Sequence, residues 1–432
     1  MVQGRTRSTR IAAGGALVGA LICAAPQVAS PQAYFPSFAS PVLAAQTLVL
    51  KGTNIGGVPT DSEYLGFVGS VINGVMPDET PVSLDSGNLI DYPASFWPVS
   101  HGGLTDPKWN ASVDTGKNNV ATAVSTGDDD ALIFGYSQGA VVASQYKASA
   151  PDPEHNITYV LLANPNRPNG GFLERFDGIT IPILDVTGSG ATPDEGGTTY
   201  DIALQYDGWS DFPRHFTHVL STINALAGTI FLHGFANQEA QIDLNNLVDP
   251  TKTDIAVDGQ TTYYTVATPR LPILIAFEAF IPSPILTALD APLRVMVEWG
   301  YDRSTSPGAP QTVSLLDMGN PIPDMVNLLR AIPVGIDDGL AEAKGDPGYR
   351  PFGTTPAGMY GVGGRDVSVP ATAASAAASV DQQPIRAQTR THAGVAPRPT
   401  ATAPHRRSDA AAKTSSSGRH AGSSRAVGAS GR

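Results

Sequence analysis

The feature that most constrains the fold of this chain is a five-residue motif, Gly135-Tyr136-Ser137-Gln138-Gly139. A short apolar run of strand length, residues 131–134, precedes the motif, and a stretch that suits a helix, residues 140–147, follows it. A strand, a G-x-S-x-G turn and a helix form a nucleophile elbow, in which the sharp turn lifts a serine hydroxyl above the edge of the sheet. Because 45 of the 432 residues are glycine, the pentapeptide alone is a weak signal, and the elements on both sides of it make Ser137 the candidate nucleophile.

The predicted fold is a single α/β domain over about residues 46–345, where we find neither a linker nor an internal repeat. Apolar runs of strand length alternate there with helical stretches such as 61–73 and 216–232. This alternation predicts an α/β-hydrolase fold, with a mostly parallel central sheet and helices on both faces. The predicted strands cover residues 47–50, 131–134, 159–163, 181–186, 202–205 and 263–267.

Two backbone N–H groups are candidates for an oxyanion hole. The N–H of Gln138 lies at the start of the helix that follows the elbow, where the helix dipole favours negative charge. In open sheets of this kind, sites form at the carboxyl ends of the strands. The glycine-rich loop 51–57 leaves the first strand at that edge, so the N–H of Thr53 is the second candidate, with a plain glycine turn as the alternative.

The first 45 residues predict export. Arg5, Arg7 and Arg10 form a basic segment, and an apolar stretch over residues 11–25 follows, as in a secretion signal. Fifteen residues are short for a membrane-spanning helix, which needs about 20, although an uncut anchor stays open. We therefore expect a protein that is secreted or anchored on the outer face of the membrane. The single cysteine, Cys23, falls inside this segment, so we expect no disulfides in the mature domain.

Residues 366–432 have the composition of a disordered tail, and residues 346–365 form an extension between the domain and that tail. The tail has almost no large apolar side chains and buries too little surface to offset its ordering entropy. Nine Lys or Arg against three Asp give it a charge of +6, and because the whole chain carries −12, residues 1–365 carry −18. Such a tail suits either contact with anionic envelope or membrane surfaces, or plain solubilisation. An acidic body without a recognition motif argues against nucleic acid as a partner.

A serine nucleophile needs a base, and the eight histidines can be narrowed by their order along the chain. In α/β-hydrolases that order is Ser, then Asp or Glu, then His. His101 precedes the elbow, His155 follows it too closely for an acid-bearing strand to intervene, and three histidines lie in the tail. The remaining candidates are His215, His218 and His233. We favour His233, which follows the helical run 216–232 and precedes a glycine, with His218 as the alternative.

The acid that orients the base is expected just beyond a strand that follows the elbow. Asp207 follows the strand 202–205 and belongs to a turn-forming Asp-Gly pair. Asp211 is the alternative, although an aspartate at that point also suits the N-cap of the next helix. Asp185, near the end of the strand 181–186, is a third candidate. Chemistry of this kind needs neither a metal nor a cofactor.

Several motifs resemble those of cutinases and of the mycobacterial PE-PPE domain. The elbow, extended to Ala140, resembles both families. The segment Ala163-Asn164-Pro165-Asn166-Arg167-Pro168-Asn169-Gly170-Gly171 is similar to the Asn-Pro…Pro-Asn-Gly-Gly segment of the PE-PPE domain. Further similar segments are 206–213, 224–228 with His233-Gly234, 268–272 and Gly300-Tyr301-Asp302-Arg303. The resemblance covers about residues 47–305, and its motifs are specific in combination.

The resemblance implies a serine α/β-hydrolase of the mycobacterial envelope with esterase activity, and some members of that family are acyltransferases that build trehalose lipids. It places the triad on Ser137, Asp207 and His233. The N-terminal residues read as a signal or anchor, as in the envelope acyltransferase members, rather than as a PE or PPE helical module, so no PE/PPE pairing is expected. The expected function is therefore an exported esterase or acyltransferase on envelope lipid esters, with trehalose glycolipids as substrates. A plain carboxylesterase or lipase and a non-catalytic envelope-binding protein are the alternatives.

Two apolar segments, 271–277 and 280–286, follow the triad and are candidates for contact with the acyl group of the substrate. They suit a lid or wall for an acyl chain, and they equally suit ordinary core packing.

Overall fold

The described part of the chain covers the predicted domain and the extension that follows it, up to residue 364. The computed structural model describes residues 46–364, apart from 78, 80, 128–129, 150–155, 235–241, 243–246, 248, 250 and 316–320. The predicted signal segment, the predicted tail and His155 therefore lie outside the described residues. Across the described residues, no helix combines the length and the apolar character that crossing a membrane requires.

The central sheet confirms the predicted α/β class. In chain order the strands are β1 (Gln46–Leu50), β2 (Asp130–Tyr136), β3 (Asn156–Leu162), β4 (Thr180–Ile181), β5 (Val186–Thr187), β6 (Thr199–Leu204), β7 (Thr253–Asp258) and β8 (Thr261–Val266). Among the described residues, six of these strands form the sheet in the order β1-β2-β3-β6-β8-β7. Neighbouring strands from β1 to β8 pair in parallel, and β7 pairs antiparallel to β8 at the edge.

Helices cover both faces of the sheet. They are α1 (Asp61–Val75), α2 (Trp109–Thr126), α3 (Gln138–Ser149), α4 (Phe172–Arg175), α5 (Val219–Phe231), α6 (Pro272–Ile275), α7 (Ser283–Glu298) and α8 (Pro321–Lys344). Side chains alternate across β2, so that Leu132 and Phe134 share a core with α1, whereas Ile133 shares another with α2 and α3. The parallel strands are buried on both faces, which is why they read as continuous apolar runs.

The prediction of a strand over residues 181–186 was wrong. This region forms the hairpin of β4 and β5, which pair with each other outside the central sheet. Ile181 and Ile183 are exposed there, so this apolar run does not indicate a buried strand. Conversely, β7 was missed, because its sequence, Thr-Asp-Ile-Ala-Val-Asp, has an apolar run of only three residues between aspartates, and its later residues lie at the surface.

A short segment covers the outer edge of β1. Val49 forms a parallel bridge with Leu89, and the N–H of Ile90 donates to the carbonyl oxygen of Val49 at 3.0 Å. The side-chain amide of Asn88 donates to the carbonyl oxygen of Thr47 at 2.9 Å. Residues 88–90 thus occupy hydrogen-bonding groups that an edge strand would otherwise present to solvent.

Candidate active site

The elbow serine lies between β2 and α3 in a strained backbone conformation. Its φ is +53°, in the left-handed region that costs a residue with a side chain roughly 1–2 kcal/mol. The two flanking positions must be glycine because neighbouring backbone atoms leave no room for a Cβ. A Cβ at Gly139 would lie 2.5 Å from the carbonyl oxygen of Leu50, and a Cβ at Gly135 would lie 2.6 Å from the carbonyl oxygen of Gly139. The local sequence therefore forces Ser137 to the end of β2 and presents its hydroxyl at the carboxyl edge of the sheet.

His233 is the histidine that reaches this hydroxyl. Its Nε2 lies 2.8 Å from the Oγ of Ser137. The residue follows the last turn of α5, where its backbone N–H donates to the carbonyl oxygen of Gly228 at 3.0 Å. The ring of Tyr136 stacks on the imidazole with centroids 6.0 Å apart, and Trp209 lies on it at 6.2 Å. These contacts fix the imidazole between the serine and the turn after β6.

Asp207 lies behind the imidazole and is fully buried. The Nδ1 of His233 is 3.1 Å from Oδ1 and 3.2 Å from Oδ2 of this carboxylate. The carboxylate also accepts hydrogen bonds from the hydroxyl and N–H of Ser210 and from the N–H of Trp209. Burial alone would raise the pKa of Asp207, but the facing imidazole and these hydrogen bonds outweigh burial and hold that pKa below its ordinary value of 3.8. The site therefore keeps a charged acceptor behind the Nδ1 of the base.

Two glycines let helix α5 pack directly on the turn that carries the acid. A Cβ at Gly228 would lie 1.9 Å from the carbonyl oxygen of Tyr206, and one at Gly208 would lie 2.3 Å from the carbonyl oxygen of Ala225 in α5. Tyr206 itself has a φ of +68°. The base and the acid are thus brought together by a close contact between backbones, which explains why both segments contain glycine.

The alternative acids have other partners. Asp211 accepts the N–H of Tyr206 at 2.8 Å and forms an ion pair with Arg303. It does not cap a helix, because α5 begins at Val219, after a series of turns. Asp185 lies in the β4–β5 hairpin and accepts from the side-chain amide of Asn110 at 3.2 Å.

The alternative bases lie at the opposite end of α5 from His233. The Nδ1 of His218 is 2.7 Å from the Oγ of Ser221, in the first turn of the helix. Burial, together with the neighbouring His215, lowers the pKa of His218. The backbone N–H of His215 donates to the carbonyl oxygen of Gly300 at 3.0 Å. Of the three candidates, the structure brings His233 to the serine.

One oxyanion candidate belongs to the elbow, and the other lies on a loop that passes beside it. Gln138 is the first residue of α3, and N–H groups in the first turn have no acceptor inside the helix. The loop that carries Thr53 passes close to the nucleophile, since a Cβ at Gly52 would lie 3.3 Å from the Cβ of Ser137. The oxyanion role of these two N–H groups stays a prediction.

Sequence reasoning missed the residues that anchor the elbow. The buried side chain of Gln138 accepts from the hydroxyl of Ser112 at 2.9 Å and donates to the carbonyl oxygen of Ser95 at 2.9 Å. Trp209 was quoted as part of a motif, but its stacking on Trp109, with centroids 6.0 Å apart, was not foreseen. No local pattern indicates these contacts, because they join segments that are distant in the chain.

Comparison with known proteins matches residues 85–302 to the PE-PPE domain. The chain is 32% identical over 303 residues to "Esterase PE16" of Mycobacterium tuberculosis (strain ATCC 25618 / H37Rv), covering 67% of this chain and 56% of that protein. In the same organism, it is 30% identical over 257 residues to "SL1278 acyltransferase Chp1", covering 57% of this chain and 59% of that protein. It is also 27% identical over 246 residues to "Diacyltrehalose acyltransferase Chp2", covering 50% of this chain and 66% of that protein. The chain thus spans little more than half the length of the first two relatives.

Proposed function

This chain belongs to the PE-PPE domain family, and on that premise we propose that it is a serine esterase or acyltransferase that acts on acyl esters through a covalent intermediate on Ser137. The observation that carries the proposal is the line of contacts from the hydroxyl of Ser137 through His233 to Asp207. A nucleophile, a base within hydrogen-bond reach and a carboxylate behind the base are the arrangement that acyl transfer requires. An envelope-binding protein without chemistry would not need this line of contacts.

In the first half of the reaction, the Oγ of Ser137 attacks the carbonyl carbon of the ester while the Nε2 of His233 takes the hydroxyl proton. The tetrahedral oxyanion is stabilised by the N–H groups of Gln138 and Thr53. When the intermediate collapses, the bond to the alcohol breaks, and His233 returns the proton to the leaving alcohol oxygen. The acyl group is then esterified to the serine.

In the second half, an acceptor hydroxyl attacks the acyl-enzyme and His233 takes its proton. When this second intermediate collapses, the bond between the acyl group and the Oγ of Ser137 breaks, and His233 returns the proton to that oxygen, which regenerates the serine. Water as the acceptor gives a free acid, whereas a sugar hydroxyl gives a new ester. Asp207 stays ionised throughout, because its lowered pKa keeps it negative beside the imidazolium. It holds the Nδ1–H toward itself and thereby leaves the Nε2 free to exchange protons.

The surface beside the site supports a lipid as the source of the acyl group. Helix α5, which ends at the base, contains no charged residue. It exposes four apolar side chains on its outer face: Val219, Ile223, Leu226 and Ile230. The predicted acyl-chain segments also expose apolar side chains, those of Phe277 and Phe280, whereas Leu274 and Leu286 are buried in the core. Core packing accounts for Leu274 and Leu286, and the exposed phenylalanines support our proposal of a wall for the acyl chain.

We further propose that the natural reaction is acyl transfer between envelope lipids outside the cytoplasm, with trehalose or an acylated trehalose as acceptor. Two of the similar proteins are named as acyltransferases, one of them for diacyltrehalose. The N-terminal segment has the composition of a secretion signal. Outside the cytoplasm an ester donor supplies the acyl group without a nucleotide-activated intermediate, which suits exchange through an acyl-enzyme.

Covalent labelling with a fluorophosphonate tests the mechanism. Wild-type protein is expected to be labelled and to hydrolyse a soluble short-chain ester, and Ser137→Ala is expected to lose labelling and at least about 10³-fold in turnover while staying folded. Ser70→Ala is the matched control, because Ser70 is an exposed serine in α1. Turnover near the wild-type level in Ser137→Ala would exclude the serine mechanism.

The acceptor is tested by incubating the protein with an acylated trehalose donor and free trehalose, followed by analysis of the lipid products. If the protein transfers acyl groups, the amount of acylated trehalose should rise with the concentration of free trehalose, and the amount of free fatty acid should fall. If free acid is the sole product with every acceptor sugar, the transferase proposal is wrong and a plain esterase remains.

A further inference from the structure

Arg303, the last residue of the motif 300–303, binds two carboxylates at once. Its Nη1 and Nη2 donate to the two oxygens of Asp211 at 2.6 and 2.9 Å. Its Nε and Nη2 donate to the two oxygens of Glu298 at 3.0 and 3.2 Å. The guanidinium also lies 4.2 Å from the ring centroid of Tyr301. A planar fork with donors on two sides is suited to such a double bridge, which a lysine cannot reproduce.

Both carboxylates in turn hold Tyr206, the residue before the acid. Asp211 accepts the backbone N–H of Tyr206 at 2.8 Å, and Glu298 accepts its phenolic hydroxyl at 2.6 Å. The backbone N–H of Asp211 also donates to the carbonyl oxygen of Asp207 at 2.7 Å. Since Tyr206 has a left-handed φ of +68°, it needs contacts that outweigh the backbone strain.

We propose that Arg303 is a positioning residue for the acid of the triad: by bridging Asp211 and Glu298 it fixes Tyr206 at both its N–H and its hydroxyl, and so sets Asp207 against His233. This inference rests on the proposed function, because it assigns a part to a residue that acts through Asp207. The proposal gives the motif 300–303 a role that does not need contact with the nucleophile or the base. The described hydrogen bonds of Arg303 go to Asp211 and Glu298.

Electrostatics supports the bridge. Burial alone would lower the pKa of Arg303, but Asp211 and Glu298 outweigh burial and raise that pKa well above its ordinary value. Without the cation, two carboxylates that both bind Tyr206 would repel each other in a partly buried site. The turn would then lose the arrangement that aims Asp207 at the imidazole.

The test compares Arg303→Lys with Arg350→Lys in the full-length protein. Arg350 is a matched control, because it too is largely buried and paired with a carboxylate, that of Asp338, with 11% of its side chain exposed. Arg303→Lys is expected to lower kcat on a soluble short-chain ester by about 10²-fold, the effect of a displacement of about 1 Å, with KM changed less than about threefold. Arg350→Lys is expected to keep kcat. Circular dichroism establishes that each variant is folded.

A double-mutant cycle separates positioning from a general structural role. If Arg303 acts through the acid, Arg303→Lys is expected to lower kcat by less than about threefold in an Asp207→Asn background. A further loss of about 10²-fold in that background would overturn the proposal, and so would full activity of folded Arg303→Lys. Both results would leave the serine mechanism standing.

A spectroscopic readout makes the inference testable independently of turnover. The proton on the Nδ1 of His233, held against Asp207, is expected to give a downfield proton resonance that disappears in Asp207→Asn. Arg303→Lys should shift or broaden this resonance, and Arg350→Lys should not. An unchanged resonance in Arg303→Lys would overturn the positioning role. The proposed function would be refuted by a different result, namely a wild-type protein whose ester turnover does not depend on Ser137.

Discussion

Replacing Gly228 by alanine is expected to disable the active site more than it destabilises the fold. The added Cβ would lie 1.9 Å from the carbonyl oxygen of Tyr206, and because Cβ atoms essentially never approach within 3.0 Å, helix and turn must separate by 3.0 − 1.9, or about 1.1 Å. His233 is held by the carbonyl of Gly228, and Asp207 follows Tyr206, so the separation opens the contact between base and acid. A displacement of this size costs about 10²-fold in rate, and we expect that loss in kcat/KM.

The cost in stability is expected to be smaller. Overpacking costs about 1–3 kcal/mol, while alanine in place of glycine gains about 1 kcal/mol of helix propensity, so the free energy of unfolding should fall by about 2 kcal/mol or less. The assays are steady-state hydrolysis of a soluble ester and thermal unfolding followed by circular dichroism. Gly66→Ala in α1 is the matched control, because its Cβ meets nothing within 4 Å; it should gain up to about 1 kcal/mol and keep its activity. If folded Gly228→Ala keeps kcat/KM within about twofold of wild type, the reasoning is refuted.

Three further predictions follow from the site and its surroundings. His233→Ala should lower turnover by at least about 10³-fold, and His218→Ala should stay within severalfold of wild type; the reverse ranking would show that the base is misassigned. Phe280→Asp should lower hydrolysis of dispersed long-chain esters and spare soluble short-chain ones. Val257→Asp, at an exposed position on the edge strand β7, should spare both. Equal losses of long-chain hydrolysis in the two variants would argue against an acyl-binding surface at Phe280. Burial, together with a neighbouring acid, raises the pKa of Glu174 from 4.5 to about 7. Ionisation of Glu174 therefore lowers the free energy of unfolding as the pH rises from about 4.5 to about 7. In urea, Glu174→Gln should be more stable than the wild type at pH 8 but not at pH 4.

The elbow could be predicted because its pattern is local. A buried strand, a turn between glycines and a helix occupy consecutive residues, so the placement of Ser137 needs no knowledge of the rest of the chain. Asp207 and His233 were favoured for their order along the chain and for the elements that precede them. The structure brings these three residues together, although the serine and the histidine are 96 residues apart.

The parts that could not be predicted depend on contacts between distant segments. The apolar run 181–186 looks like a strand, and only packing decides that it forms a hairpin at the surface. The bridge from Arg303 to Asp211 joins residues 92 positions apart, and their spacing carries no trace of it. Whether the N–H of Thr53 faces a substrate oxygen depends on a loop conformation that glycine-rich sequences do not specify.

The covered edge of β1 has a consequence for how this protein behaves at high concentration. An uncovered outer strand offers a row of free N–H and C=O groups onto which the strand of another molecule can add, which is a common start of aggregation. Residues 88–90 already bind the carbonyl groups of Thr47 and Val49, so a second molecule would have to displace them before it could extend the sheet. Substituting Ile90 by proline would remove the N–H that binds the carbonyl oxygen of Val49, and the variant should form oligomers at concentrations where the wild type stays monodisperse.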